Sequence, residues 1–323
     1  MKEQILPLDF FLRFCQDKIP EHGEDSYCHS YCDTAGFLGV FDGCGGAGAR
    51  QHDYYYGHTE AYMASRFCAG AFFRRFCEAF PGEMPTEQVV QELFWKGALE
   101  DLKQSEPPRD EMGFMMKGSM VRTLPTTAAA ALVRSQGKEI TVSAIWAGDS
   151  RVYLLDKEGL AQLTVDDTNV PDPMDTLFDD GILNNIFCSD RKMTLHCRTV
   201  TVKPPFAVFA ATDGCFGYVS TPMEFEAMVL ESLLDSDNPG QWEANLAQMI
   251  GQVAGDDHAL CLAAYGFGKF ETLQTTMQPR YAWLDTHFLR TIKELPMEDR
   301  KTRTALWDQY KAQYFRFLKD GTD

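Results

Sequence analysis

Two periodicities divide the chain. Short runs that are apolar throughout, or at every second position, mark strands, whereas apolar positions recurring every third and fourth residue mark helices. Residues 26–32 read as a strand, Asp33-Thr34-Ala35-Gly36 as a turn, and 37–41 as a second, continuously apolar strand ending at Asp42-Gly43. Such a hairpin delivers an acidic residue to a strand end. From 58 to 80, Met63, Phe67 and Ala71 and, one ridge over, Phe72, Phe76 and Phe80 recur at i,i+4, which predicts a helix. Val89, Leu93 and Lys96, with Val90, Phe94 and Leu102, predict a second amphipathic helix that Pro107-Pro108 stops.

Strands resume at 127–133, 140–147 and 151–155, divided by Gln136-Gly137-Lys138 and by Gly148-Asp149-Ser150. Two further runs, 206–211 and 259–265, are apolar on both faces, the pattern of strands inside a layered structure. Between them, 221–234 and 241–253 predict helices, the first opened by Thr221-Pro222 with Glu224 three residues on. Strands in runs, separated by helix pairs rather than alternating singly, predict an α+β sandwich with helices outside.

Composition narrows the class. The 323 residues are 45% hydrophobic and 24% charged, which excludes a disordered, collagen-like or disulfide-scaffold chain. Ten cysteines without a CxxC pair read as reduced, buried thiols and argue against structural zinc. With 47 Asp and Glu against 30 Lys and Arg, the chain lacks the basic clusters that bind a phosphate backbone, so no nucleic-acid partner is expected. No run approaches the roughly 18 apolar residues of a membrane helix, and Lys2, Glu3, Asp9 and Arg13 interrupt any signal-peptide core. No membrane partner and a cytoplasmic location are therefore expected.

The negative charge is uneven. From Lys269 onward there are ten Lys and Arg against eight Asp and Glu, so the acidity lies before that point, and a boundary is expected near Gly266-Phe267-Gly268. This divides the chain into residues 1–268 and a C-terminal extension, 269–323. In the extension, Trp283, Phe288, Leu289 and Ile292, then Leu306, Tyr310, Tyr314 and Phe317, fall at helical spacing. An exposed aromatic stripe is costly, so this helical hairpin is expected to dock on the rest of its own chain.

Acidic residues stand beside glycine or each other at predicted strand ends: Glu24-Asp25, Asp42-Gly43, Gly148-Asp149, Asp213-Gly214 and Asp256-Asp257. Singly, Asp-Gly is a common turn. Together they suit hard divalent cations such as Mg²⁺ or Mn²⁺, which take oxygen ligands and, in pairs about 3.5–4 Å apart, share a bridging carboxylate. The strings Gly23-Glu24-Asp25-Ser26, Val40-Phe41-Asp42-Gly43-Cys44-Gly45-Gly46, Thr126-Thr127-Ala128, Ala147-Gly148-Asp149-Ser150-Arg151, Ala211-Thr212-Asp213-Gly214 and Asp256-Asp257, in that order, resemble the metal-dependent (type 2C) protein serine/threonine phosphatase family. The resemblance runs from about residue 23 to residue 265.

That resemblance implies two stacked antiparallel β-sheets flanked by helix pairs, and a hydrolase acting on phosphoserine and phosphothreonine of a phosphorylated protein with a metal-activated water. Asp42, Asp213 and Asp256 would be its catalytic set. Asp42 would bridge two Mg²⁺ or Mn²⁺ ions, the Gly43 carbonyl and, through water, Glu24 would serve one ion, and Asp213 and Asp256 the other. Asp149 would serve a third ion and Asp25 would support the set. No phosphoenzyme is implied, and Cys44 lacks the phosphate loop of cysteine phosphatases.

Three positions depart from the family pattern: Pro20 stands where a phosphate-holding arginine is usual, Cys44 where histidine is frequent, and Asp257 where asparagine is. Lys18, His22 and Arg50 are candidates to take that arginine's place, though none is in register. Pro20 motivates the alternative of a weakly active or inactive module that binds phosphoproteins or a signalling partner. The acidic segment 165–181, with Asp166, Asp167, Asp172, Asp175, Asp179 and Asp180, reads equally as a flap that sorts substrates by charge and as a solvated loop. His52-Asp53-Tyr54-Tyr55-Tyr56 reads as core packing rather than a stacking platform, and His196 and His258 as structural residues.

Overall fold

Strands in the computed structural model are β1 (Leu8–Gln16), β2 (Ser26–Cys32), β3 (Ala35–Phe41), β4 (Ala128–Gln136), β5 (Glu139–Ala147), β6 (Arg151–Asp156), β7 (Gly159–Gln162), β8 (His196–Val202), β9 (Phe206–Ala211) and β10 (His258–Tyr265). The structure describes residues 8–79, 87–108, 122–136, 139–170, 172–179, 181–296 and 298–318. Lys2, Glu3, Phe80, Gly137, Lys138 and Asp180, named above, lie outside them. The strands pair, all antiparallel, into two five-stranded sheets ordered β1-β10-β9-β6-β7 and β2-β3-β4-β5-β8. Helices are α1 (Gly45–Gly48), α2 (Glu60–Ala79), α3 (Glu87–Gln104), α4 (Asp213–Phe216), α5 (Pro222–Leu234), α6 (Pro239–Val253), α7 (Phe270–Leu284), α8 (Arg290–Glu294) and α9 (Arg300–Tyr314).

The doubly apolar strands are explained by what lies on each side of them. In β9, Phe206, Val208 and Ala210 point between the sheets, while Ala207, Phe209 and Ala211 point outward under α5 and α6. In β3, Leu38 and Val40 face the other sheet, and Phe37 turns out to stack on Phe76 of α2 and Phe94 of α3 at 5.2 and 5.7 Å between ring centroids. Each such buried phenylalanine contributes about 1.5–3 kcal/mol. The layers therefore run helices, sheet, sheet, helices, the α+β sandwich expected from the order of elements.

Three strands escaped the sequence reading. β1 pairs with β10 from the opposite end of the chain, β7 is only four residues long, and β8 is an edge strand rich in polar residues. Leu273, Met277, Trp307, Tyr310 and Tyr314 of α7 and α9 are buried in one cluster with Tyr153, Phe209 and Leu262. All ten cysteines are free thiols, but Cys32 and Cys77 are exposed rather than buried. No helix among the described residues is long and apolar enough to cross a membrane.

Candidate active site

The carboxylates are set by short backbone devices at strand ends. The Asp42 carbonyl accepts from the Thr127 amide and from Thr126 Oγ1, both at 2.8 Å, which pins the end of β3 to the start of β4. The Gly43 amide donates to the Glu24 carbonyl at 3.3 Å, and a Cβ on Gly43 would lie 2.4 Å from the Ala61 carbonyl oxygen, so only glycine fits. Across the sandwich, β9 runs into Asp213, the first residue of α4. Beneath that turn Thr212 Oγ1 donates to Asp25 Oδ2 at 2.7 Å and accepts from the Ala259 amide at 2.9 Å. Asp149 follows Gly148, whose φ of +98° belongs to the left-handed region. That turn is clamped by Asp167: the Gly148 amide donates to its carboxylate and its own amide returns to the Gly148 carbonyl, each at 3.0 Å.

These devices bring Glu24, Asp42, Gly43, Asp149, Asp213 and Asp256 to the wall of one cavity of about 580 Å³. Asp256 is exposed at the rim, whereas Asp42, Asp149 and Asp213 are half-buried. Asp25 does not line the cavity. It lies beneath, 3% exposed, where burial first, and then the charges of Asp213 and Asp257, push its carboxyl well above the usual range.

The electrostatics are those of acids crowded together. Burial first, and then the charges of Asp25, Asp213, Asp149 and Asp256, push the Asp42 carboxyl well above its usual range. Burial and Asp213 do the same to Asp149, and burial and Asp256 raise Asp213 to about 6. Asp149 Oδ1 is buried without a hydrogen-bond partner. Among the described residues no three His, Cys, Asp or Glu side chains stand as a ready-formed metal site. The donors are nonetheless all oxygens, and a buried carboxylate oxygen lacking a donor is what a hard cation would complete.

Other residues take parts that the sequence did not reveal. Asp257 accepts from the backbone amides of Lys18 and Glu24, both at 2.7 Å, and so fixes the loop that carries Glu24. Arg122 lines the cavity, whereas Lys18, His22 and Arg50, the candidates to replace the missing arginine, do not. Lys18 Nζ instead donates to the Gly255 carbonyl. Asp166 and Asp167 are not solvated loop residues: the first pairs with Arg151 at 2.6 Å and the second bonds His196 Nε2 at 2.9 Å. His52 and Tyr55 are buried, His52 against Glu60 at 2.7 Å, while Tyr54 and Tyr56 are exposed. His258 is buried against Gln16.

This sandwich, with acidic strand ends facing a shared cavity, is the fold of the metal-dependent serine/threonine phosphatases. Staphylococcus aureus serine/threonine phosphatase Stp1 superposes with a TM-score of 0.57 at 16% identity, over 82% of this chain and 97% of that one. A bacterial serine phosphatase gives 0.59 at 17% identity, over 80% and 98%. The catalytic domain of the phosphatase PstP, solved with two manganese ions, gives 0.52 at 14% identity, over 81% and 98%. No protein-family model matches the chain, and no curated protein matches it in sequence. At these identities the likeness is one of fold.

Proposed function

We propose that this chain is a Mg²⁺- or Mn²⁺-dependent protein phosphatase that hydrolyses phosphoserine and phosphothreonine monoesters. The observation that carries the reading is the gathering of Glu24, Asp42, Asp149, Asp213 and Asp256, from far-separated strand ends, around one cavity. Asp42, at the centre of the set, would hold a pair of ions with Glu24, the Gly43 carbonyl, Asp213 and Asp256, and Asp149 would serve a third. Divalent cations bound there supply a water acidified toward neutral pH and positive charge for the phosphoryl oxygens.

The chain's own residues do the rest. Asp25 is held beneath the set by Thr212, and Asp257 fixes the Glu24 loop. Arg122 brings a guanidinium to the wall of a cavity whose other charged lining residues are acids, where it would meet an entering phosphate. Ile182, Leu183 and Ile186 form an apolar part of the cavity wall. The Cys44 thiol is pushed well up by burial and by the Asp42 charge, so it stays protonated and is no nucleophile. In this reading residues 1–268 are the catalytic unit and 269–323 an extension, and the substrates are phosphorylated proteins of cytoplasmic signal transduction.

The test is hydrolysis of p-nitrophenyl phosphate and of a phosphothreonine peptide with Mn²⁺, with Mg²⁺ and with EDTA. Turnover is expected only with the cations, and Asp42→Asn and Asp213→Asn are expected to lower it by about a thousandfold or more. Wild type that binds Mn²⁺ without turnover would favour a phosphoprotein-binding module instead.

A further inference from the structure

A buried polar chain links the C-terminal helix to the carboxylate cavity. Tyr314, near the end of α9 and 1% exposed, donates from its hydroxyl to the hydroxyl of Tyr153 on β6 at 3.3 Å. Tyr153 Oη in turn accepts from Arg151 Nη1 at 3.4 Å. Arg151, 3% exposed, grips Asp166 through Nε at 3.0 Å and Nη2 at 2.6 Å. The residue after Asp166 is Asp167, which clamps the Gly148 turn that presents Asp149. The Arg151 guanidinium also lies 4.1 Å over the ring of Phe216, the last residue of the helix that Asp213 opens.

Stability alone does not account for this arrangement, because well-packed apolar side chains in place of a buried ion pair are often neutral or stabilising. A hydrogen-bonded chain does what apolar packing does not: it fixes the direction of the guanidinium, and with it the two segments the guanidinium touches. The α9 end of the chain is held by a separate anchor. Glu226, fully buried on α5, takes a bidentate contact from Arg280 at 2.7 and 2.8 Å, the Leu160 amide at 3.1 Å and the Tyr310 hydroxyl.

We propose that Tyr314 is a positioning residue for the carboxylate site, holding through Tyr153 and the Arg151–Asp166 pair the turn that carries Asp149 and the helix that begins at Asp213. The proposal rests on the reading of that cavity as a divalent-cation site. It makes the C-terminal helix part of the machinery that sets ion affinity.

The test uses the full chain and Mn²⁺ alone, titrated by calorimetry. Tyr314→Phe keeps the ring and removes only the hydroxyl, and Tyr153→Phe breaks the same chain from the other side. Each is expected to weaken Mn²⁺ binding roughly threefold to tenfold, less than the roughly ten- to hundredfold cost of deleting a group that bonds a ligand directly. The double variant should be no worse than either single one. Tyr310→Phe, which removes a hydroxyl from the Glu226 anchor on the same helix, should lower the unfolding midpoint and leave Mn²⁺ affinity unchanged. Tyr314→Phe and Tyr153→Phe that bind Mn²⁺ as wild type does, or a Tyr310→Phe that weakens binding equally, would overturn the positioning role while leaving the cation site standing. Wild type that binds no Mn²⁺ would overturn the site and this proposal together.

Discussion

Asp42 shows what a site of this kind costs the residue at its centre. Its carboxyl sits half-buried among Asp25, Asp149, Asp213 and Asp256, each of which opposes its ionisation. Replacing it by asparagine removes one charge from the crowd and keeps the shape. In EDTA, Asp42→Asn should therefore be more stable than wild type, by about 1–2 kcal/mol in urea unfolding, although it loses hydrolysis. A variant less stable than wild type without metal would mean that Asp42 is held by favourable bonds rather than kept for an ion. Asp257 makes the contrast, since two backbone amides satisfy its carboxylate. Nothing local in Asp256-Asp257 separates the two neighbours, because the partners of Asp257, Lys18 and Glu24, lie more than 200 residues away.

Among the elements, the anchor of α9 makes the sharpest stability prediction. Glu226→Ala would leave the Arg280 guanidinium buried without its carboxylate, and removing one partner of a buried pair typically costs about 3–5 kcal/mol. Chemical unfolding should show a loss of that size, and a loss under about 1 kcal/mol would mean that the pair is hydrated or replaceable. The elements also show what was legible. β3, β9 and β10 were readable because a strand buried on both faces is apolar throughout, and α5 because Thr221 caps it, accepting from the Glu224 amide ahead of Pro222. β8 was not, because its polar residues make no apolar run and it exists by pairing with β5, nor was β1, whose partner β10 lies at the opposite end of the chain. Five acidic strand ends were visible as a set. Arg122 was not, since no motif marks an arginine that becomes a cavity residue only when β4 and α1 come together.

The molecule as a whole gathers an acidic cavity at the strand ends of its two sheets, and its stability should depend on pH accordingly. Carboxyls raised on folding bind protons more tightly in the folded state than in the unfolded one. Their contribution is thus most favourable below the unfolded value of about 3.8 and is lost as pH rises through the folded values, about 6 for Asp213, with Asp42 and Asp149 raised as well. In EDTA the melting temperature should fall as pH is raised from 5 to 7, and saturating Mn²⁺ should recover most at the upper end. A metal-free melting temperature that rises across that window would contradict the raised carboxyls.

The same linkage supplies the most direct test of the central claim, that the gathered carboxylates are a divalent-cation site. Calorimetric titration of the full chain with Mn²⁺ near pH 6, in two buffers of different ionisation enthalpy, reads binding and proton release together. Mn²⁺ should bind wild type with protons released, and Asp42→Asn should abolish both signals. Wild type that binds no Mn²⁺, or an Asp42→Asn protein that binds it with the same heat and the same proton release, would contradict the account.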